Sequence, residues 1–197
     1  GAHDGSTLLE RYMDQAIGVG RTQIIVGSGN EGDTGGHASG RLENPVRGRD
    51  EVIDIELAVG PLQAGLNIQL WKNYADRFRI FFVAPDGQRL EIDTSEQGKR
   101  VNLLSDIEIL VYVGEPSPYS PNQEIYFDFL PVSDYMDSGI WRIELVPQQI
   151  VVGNYDMWLP TGGVLNQGTN FLLPREDTTL TIPSTAAKVI TVGAYDG

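Results

Sequence analysis

The chain contains no cysteine, so it has neither a disulfide framework nor a cysteine-based metal site. Basic residues are scarce: 14 Lys and Arg stand against 27 Asp and Glu among 197 residues, a formal net charge of −13. No basic cluster interrupts that excess, which argues against a nucleic-acid partner. The acidity bears mainly on solubility. There is no apolar run of about 18 residues, so the sequence offers no transmembrane helix and no membrane partner is expected. A Gly-rich phosphate cradle with its lysine is missing. The opening residues, Gly1-Ala2-His3-Asp4, carry neither a signal-peptide pattern nor a Met, which reads as a piece trimmed from a longer protein.

Residues 4–17 read as a helix. Ser6 or Asp4 serves as the N-cap, and Glu10 sits in the first turns. Leu8, Leu9, Tyr12, Met13, Ala16 and Ile17 recur at helical spacing and define an apolar face expected to be buried. Gly18 and Gly20 end the segment. A short apolar run, Ile24-Ile25-Val26, then leads into Gly27-Ser28-Gly29-Asn30-Glu31-Gly32. Glycine permits positive φ and close backbone approach, so this turn presents one side chain at the end of a buried strand. Asn30 is a neutral amide donor, suited to a developing negative oxygen. Its alternative role is that of an ordinary turn asparagine in a left-handed conformation.

The composition changes over residues 33–49, which read as loop: Gly35, Gly36, Ser39, Gly40, Pro45 and Gly48 dominate. From about 50 to 160 the pattern is all-β. Leu66, Ile68 and Leu70 alternate with Asn67, Gln69 and Trp71, and Phe78 to Val83 is a further strand. Ala84-Pro85-Asp86-Gly87 has the chemistry of a tight turn, which makes a hairpin with Leu90 and Ile92. Further strands are expected at 101–104, 108–113, 124–130, 140–146 and 151–159. Short strands with turns at this spacing imply a sandwich or barrel, and a jelly roll of eight or more strands fits the count. Gly162, Gly163, Asn166 and Gly168 then mark a return linker.

Both ends of the chain resemble the subtilisin-like serine proteases, of the S8 type. The stretch from Asp4 to Gly32 is similar to the helix, strand and G-N-E-G turn that carry the oxyanion asparagine of that family. The stretch Ile182-Pro183-Ser184-Thr185-Ala186-Ala187-Lys188-Val189-Ile190-Thr191-Val192-Gly193-Ala194 resembles its P-A-x-x-x-x-V-I-T-V-G-A segment. About 150 residues separate the two, where an ordinary member has a few tens. His3-Asp4-Gly5-Ser6, Leu8-Leu9-Glu10, Gly29-Asn30-Glu31-Gly32 and Gly35-Gly36-His37 resemble the clostridial-type germination subtilases, the Csp group, which carry a large insertion at this place. Asp76 to Gly87 is also similar to the β-sandwich domains that accompany proprotein-convertase-type subtilases.

The resemblance implies a mainly β chain: a jelly-roll-like antiparallel β-sandwich inserted into partial α/β subtilase-core segments. Its parts would be 1–40 (core segment), 41–164 (sandwich) and 165–197 (core return). It implies Asn30 as the oxyanion-hole residue of a peptide-bond hydrolase whose Ser, His and Asp lie outside these residues. No G-T-S-x-[AS]-x-P-like string occurs, Gly168-Thr169-Asn170 being the nearest. The implied partners are a protein or peptide substrate and the remaining subtilase core, and the implied location is extracellular or spore-associated. No cofactor or metal is implied. His37 stands after Asn30 and off any H-G-T context, so a loop-fixing hydrogen bond suits it better than catalysis.

Two readings of another class stay open: a stand-alone β-sandwich binding module for carbohydrate or protein, and a non-catalytic pseudoprotease scaffold. Trp71, Trp141, Trp158, Tyr112, Tyr126 and Tyr155 would supply a sugar-binding face, although core and inter-strand pairing explain most of them better. Asp33, Glu43, Asp50, Asp54 and Glu56 are numerous enough for Ca²⁺. They lack the spacing of a calcium loop and fit solvent-facing acidic strands.

Overall fold

The computed structural model describes residues 3–20, 22–29, 34–46, 51–95, 98–116, 118, 120–161 and 163–194. The chain divides into two compact units, Gly1–Thr34 with Glu176–Gly197, and Gly35–Arg175. In chain order the elements are α1 (Leu8–Gly20), β1 (Ile25–Gly27), β2 (His37–Arg41), β3 (Ile53–Val59), β4 (Leu66–Asn73), β5 (Arg77–Val83) and β6 (Arg89–Ile92). They continue as β7 (Gly98–Leu104), β8 (Ile107–Val113), β9 (Asn122–Pro131), β10 (Gly139–Gln149), β11 (Asn154–Trp158), β12 (Asn170–Phe171) and β13 (Ile190–Val192).

The larger unit is an antiparallel β-sandwich. One sheet runs β12-β3-β10-β5-β6 and the other β2-β11-β4-β9-β8-β7. The period-2 pattern of the sequence is the cause. Leu66, Ile68 and Leu70 of β4 and Ile125, Phe127 and Phe129 of β9 point inward and are buried, while the residues between them are partly exposed. The two sheets meet through aromatic rings. Phe82 of β5 lies edge-on to Phe127 and Phe129 of β9, each at 5.0 Å, and Phe129 meets Trp141 of β10 at 6.1 Å. Strand β3 pairs with β10 in one sheet, and β4, the next strand, pairs with β9 in the other. The strands between close as two hairpins, β5–β6 and β7–β8.

The first hairpin turns where the sequence places it. Gly87 has φ +88, its N–H donates to Ala84 O at 2.9 Å, and Asp86 accepts from the Gln88 N–H at 2.9 Å. That backbone bond holds the exposed Asp86 carboxyl below its usual range. Residues 37–41, loop by composition, are instead the edge strand β2, paired antiparallel with β11. Composition there favours no strand. What decides is the partner, because β11 offers a free edge whose backbone groups need bonds. The last expected strand starts later than residue 151. Val151 N, Val152 N and Gly153 N all donate to the Asp76 carboxylate, at 2.7, 2.9 and 2.8 Å, which makes a turn before β11.

The smaller unit joins the two ends of the chain. Strand β1 pairs parallel with β13, in the register Ile25–Ile190, Val26–Thr191, Gly27–Val192. Helix α1 precedes β1, as the apolar spacing requires, but its cap and its buried face differ from expectation. Thr7 is the cap. Its hydroxyl accepts from the Glu10 N–H at 3.4 Å, and the Glu10 carboxylate accepts from the Thr7 N–H at 3.1 Å, a reciprocal capping box. The apolar stripe is largely exposed: Leu8 81%, Leu9 53%, Tyr12 69%. Glu10 is the fully buried residue of the helix, and its carboxylate also takes the Thr185 hydroxyl. Asp14, one turn on, accepts from the Ala187 and Lys188 N–H groups at 3.2 and 2.7 Å. The helix thus uses its acidic edge to hold the C-terminal segment. Its apolar face lacks a second layer, since this helix and strand pair cannot bury both sides of themselves.

Candidate functional site

The site is built at the C-terminal end of the parallel pair. Beyond β1, the Ser28 N–H donates to Val192 O at 3.0 Å, which prolongs the pairing by one residue. Ser28 O accepts from the Thr181 N–H at 3.0 Å and from its hydroxyl at 3.3 Å. Gly29 has φ +85, and a Cβ there would overlap the Thr181 side chain. The backbone therefore leaves the strand by a turn that only glycine enters without strain. Asn30, the candidate oxyanion donor, follows at once and lies outside the described residues, as do Glu31 and Gly32. The crevice beyond the carboxyl ends of parallel strands is where α/β folds place ligands. A neutral amide such as that of Asn30 is chemically suited to a carbonyl oxygen that gains negative charge. Thr181 escaped the sequence reading. Its signal was faint, a threonine three residues before Ser184 in a polar stretch.

The other residues singled out by sequence fall elsewhere. His37 is buried in β2. Its Nε2 lies 3.0 Å from Asp156 Oδ1, and its ring stacks on Trp158 at 4.9 Å and 13°. It ties the edge strand to its neighbour. Trp141 and Tyr155 are core residues, and Tyr112 and Tyr126 pair across β8 and β9 at 6.0 Å. Asp33 and Asp50 lie outside the described residues. Glu43, Asp54 and Glu56 join no cluster able to hold a metal among the described ones. One polar group in the sandwich had no place in the sequence reading. Lys72 is buried on the inward face of β4, and burial lowers its pKa from 10.5 to about 8.

A helix feeding a parallel strand pair, with an antiparallel sandwich between the two strands in sequence, relates the chain to subtilase-like proteases. The particular structure that carries this is that of the Clostridium perfringens CspB protease. It matches with a TM-score of 0.84 and 30% identity over 100% of the present chain. The chain spans 39% of the length of that protein. No protein-family model and no curated protein matches the chain.

Proposed function

We propose that the chain is the part of a subtilisin-like serine endopeptidase, of the clostridial germination type, that holds the oxyanion asparagine and carries an accessory jelly-roll-like insertion. The observation that supports this best is the pairing of β1 with β13. Residues 165 positions apart, such as Ile25 and Ile190, lie in register just before the turn that leads to Asn30. The bare apolar face of α1 fits the same reading, because the remaining protease core would supply its missing layer. In the mechanism, a serine outside these residues attacks the peptide carbonyl. A histidine takes its proton and an aspartate orients the histidine, while Asn30 and a backbone N–H receive the oxyanion. The sandwich serves as an accessory domain.

A fluorophosphonate probe tests the reading, since it reacts with an activated serine and not with an ordinary one. In the full-length protein it should label one serine, outside residues 1–197, and it should leave the 197-residue chain unlabelled. A full-length protein that resists the probe contradicts the endopeptidase reading.

A further inference from the structure

The inward row of β4 runs Leu66, Ile68, Leu70, Lys72, and that of β9 runs Phe129, Phe127, Ile125, Gln123. The register pairs Leu66 with Phe129, Ile68 with Phe127, Leu70 with Ile125 and Lys72 with Gln123. Two polar side chains thus occupy the last positions that the alternation reserves for apolar ones. Both are buried, Lys72 at 8% and Gln123 at 6% exposure. They line an open depression of about 1230 Å³ at this end of the sandwich.

The hydrogen bonds of Lys72 are incomplete. An ammonium has three N–H groups. Among the described residues, Lys72 Nζ donates to Asp76 O at 2.8 Å and to Asn73 O at 3.2 Å, both backbone carbonyls. The nearby carboxylate of Asp76 favours the charged lysine through space, but its hydrogen bonds are committed to the N–H groups of Val151, Val152 and Gly153, and the Phe78 ring lies 5.6 Å from Nζ. No ion pair joins Lys72 to a carboxylate among the described residues. A neutral donor would tie the β4–β5 turn without the cost of desolvating a cation. The charge therefore needs a further reason, and a buried cation that faces a cavity, with Asp76 as a nearby counter-charge but no carboxylate in direct contact among the described residues, is suited to an anion.

We propose that the mouth of the sandwich at Lys72 binds a small oxyanion, a carboxylate- or sulfate-like group, which accepts the third hydrogen of the Lys72 ammonium. The inference is independent of the protease reading. The bound anion supplies the direct hydrogen-bonded partner that Asp76 does not, at a lysine that is itself buried.

The test is a titration of the isotope-labelled chain with sodium sulfate, and separately with sodium acetate, at constant ionic strength in chloride. The readout is the amide signals of Gln123, Val151, Val152 and Gly153. Saturable shifts are expected with at least one anion. Sulfate alone would assign a tetrahedral group, acetate alone a carboxylate. The charged and titratable groups that line the depression with Lys72 are Tyr74, Asp76 and Arg77 at the β4–β5 turn, Arg79 on β5, and Glu91 and Asp93 at β6; those from β9 and β10 are the neutral Gln123, Gln148 and Gln149. Burial raises the pKa of Tyr155, the β11 neighbour of Lys72. The apparent Kd should rise about tenfold per pH unit above the lysine pKa, as neutral Lys72 loses its hold. Lys72→Met should abolish the saturable shifts. Absence of saturation with both anions, equal shifts in Lys72→Met, or a Kd independent of pH would each overturn the proposal. The pH series on the unmodified chain decides even if the variant does not fold.

Discussion

Two carboxylates, Asp76 and Glu10, do at the residue scale what neither composition nor periodicity announces. Asp76 opens the stretch Asp76 to Gly87 without any local sign of its role, yet it accepts three consecutive backbone N–H groups from a segment 75 residues away. Replacing it by alanine strands those three donors, of which that of Gly153 is buried. Asp76→Ala should therefore lower the unfolding free energy by about 3 kcal/mol, read by urea denaturation. A loss below about 1 kcal/mol would mean that water replaces the carboxylate at no cost. Lys72 allows a signed prediction. Burial lowers its folded pKa to about 8, below the ordinary 10.5, so the unfolded chain holds that proton more firmly. Its burial cost is fully present below about pH 8 and disappears as pH rises toward 10.5. Lys72→Met should be the more stable protein at pH 7, and its advantage should shrink between pH 8 and 10. An advantage that grows over this interval would contradict the assignment. Both effects depend on partners distant in sequence, which is why they could not be read from it. Asn30, by contrast, was legible as a candidate because strand, glycine and asparagine are adjacent along the chain.

Elements were legible where burial follows alternation. β4 and β9 read as strands because each second side chain faces the core. The P-D-G turn read correctly because proline and glycine fix its geometry locally. What failed shares one cause, dependence on a neighbour. Strand β2 is made by the edge of β11, and the buried side of α1 is chosen by residues 185–188, more than 170 positions on. These elements also set how much chain a self-sufficient sandwich needs. The sequence suggests residues 50–160, a span that omits β2 and the fully buried Phe171 of β12. Losing a buried phenylalanine costs about 3–5 kcal/mol, a large share of a small domain's stability. An excised 35–175 piece should therefore melt cooperatively and hotter than an excised 50–160 piece. Equal melting temperatures would show that the edge strand and Phe171 contribute nothing.

On the scale of the whole molecule, the two units differ in how far they complete themselves. The sandwich closes its core from both sheets. The unit formed by the ends leaves Leu8, Tyr12, Val19 and Ile25 more than half exposed. That contrast is what an accessory domain set into part of a larger α/β core would display. It leaves the mechanism resting on the turn that the parallel strands support. The most direct measurement is the steady-state kinetics of full-length protein carrying Asn30→Ala, against a peptide substrate. In the proposed role the amide acts in the transition state, so kcat should fall by about 10²–10³ with KM little changed. An unchanged kcat would remove Asn30 from the oxyanion hole and contradict the account.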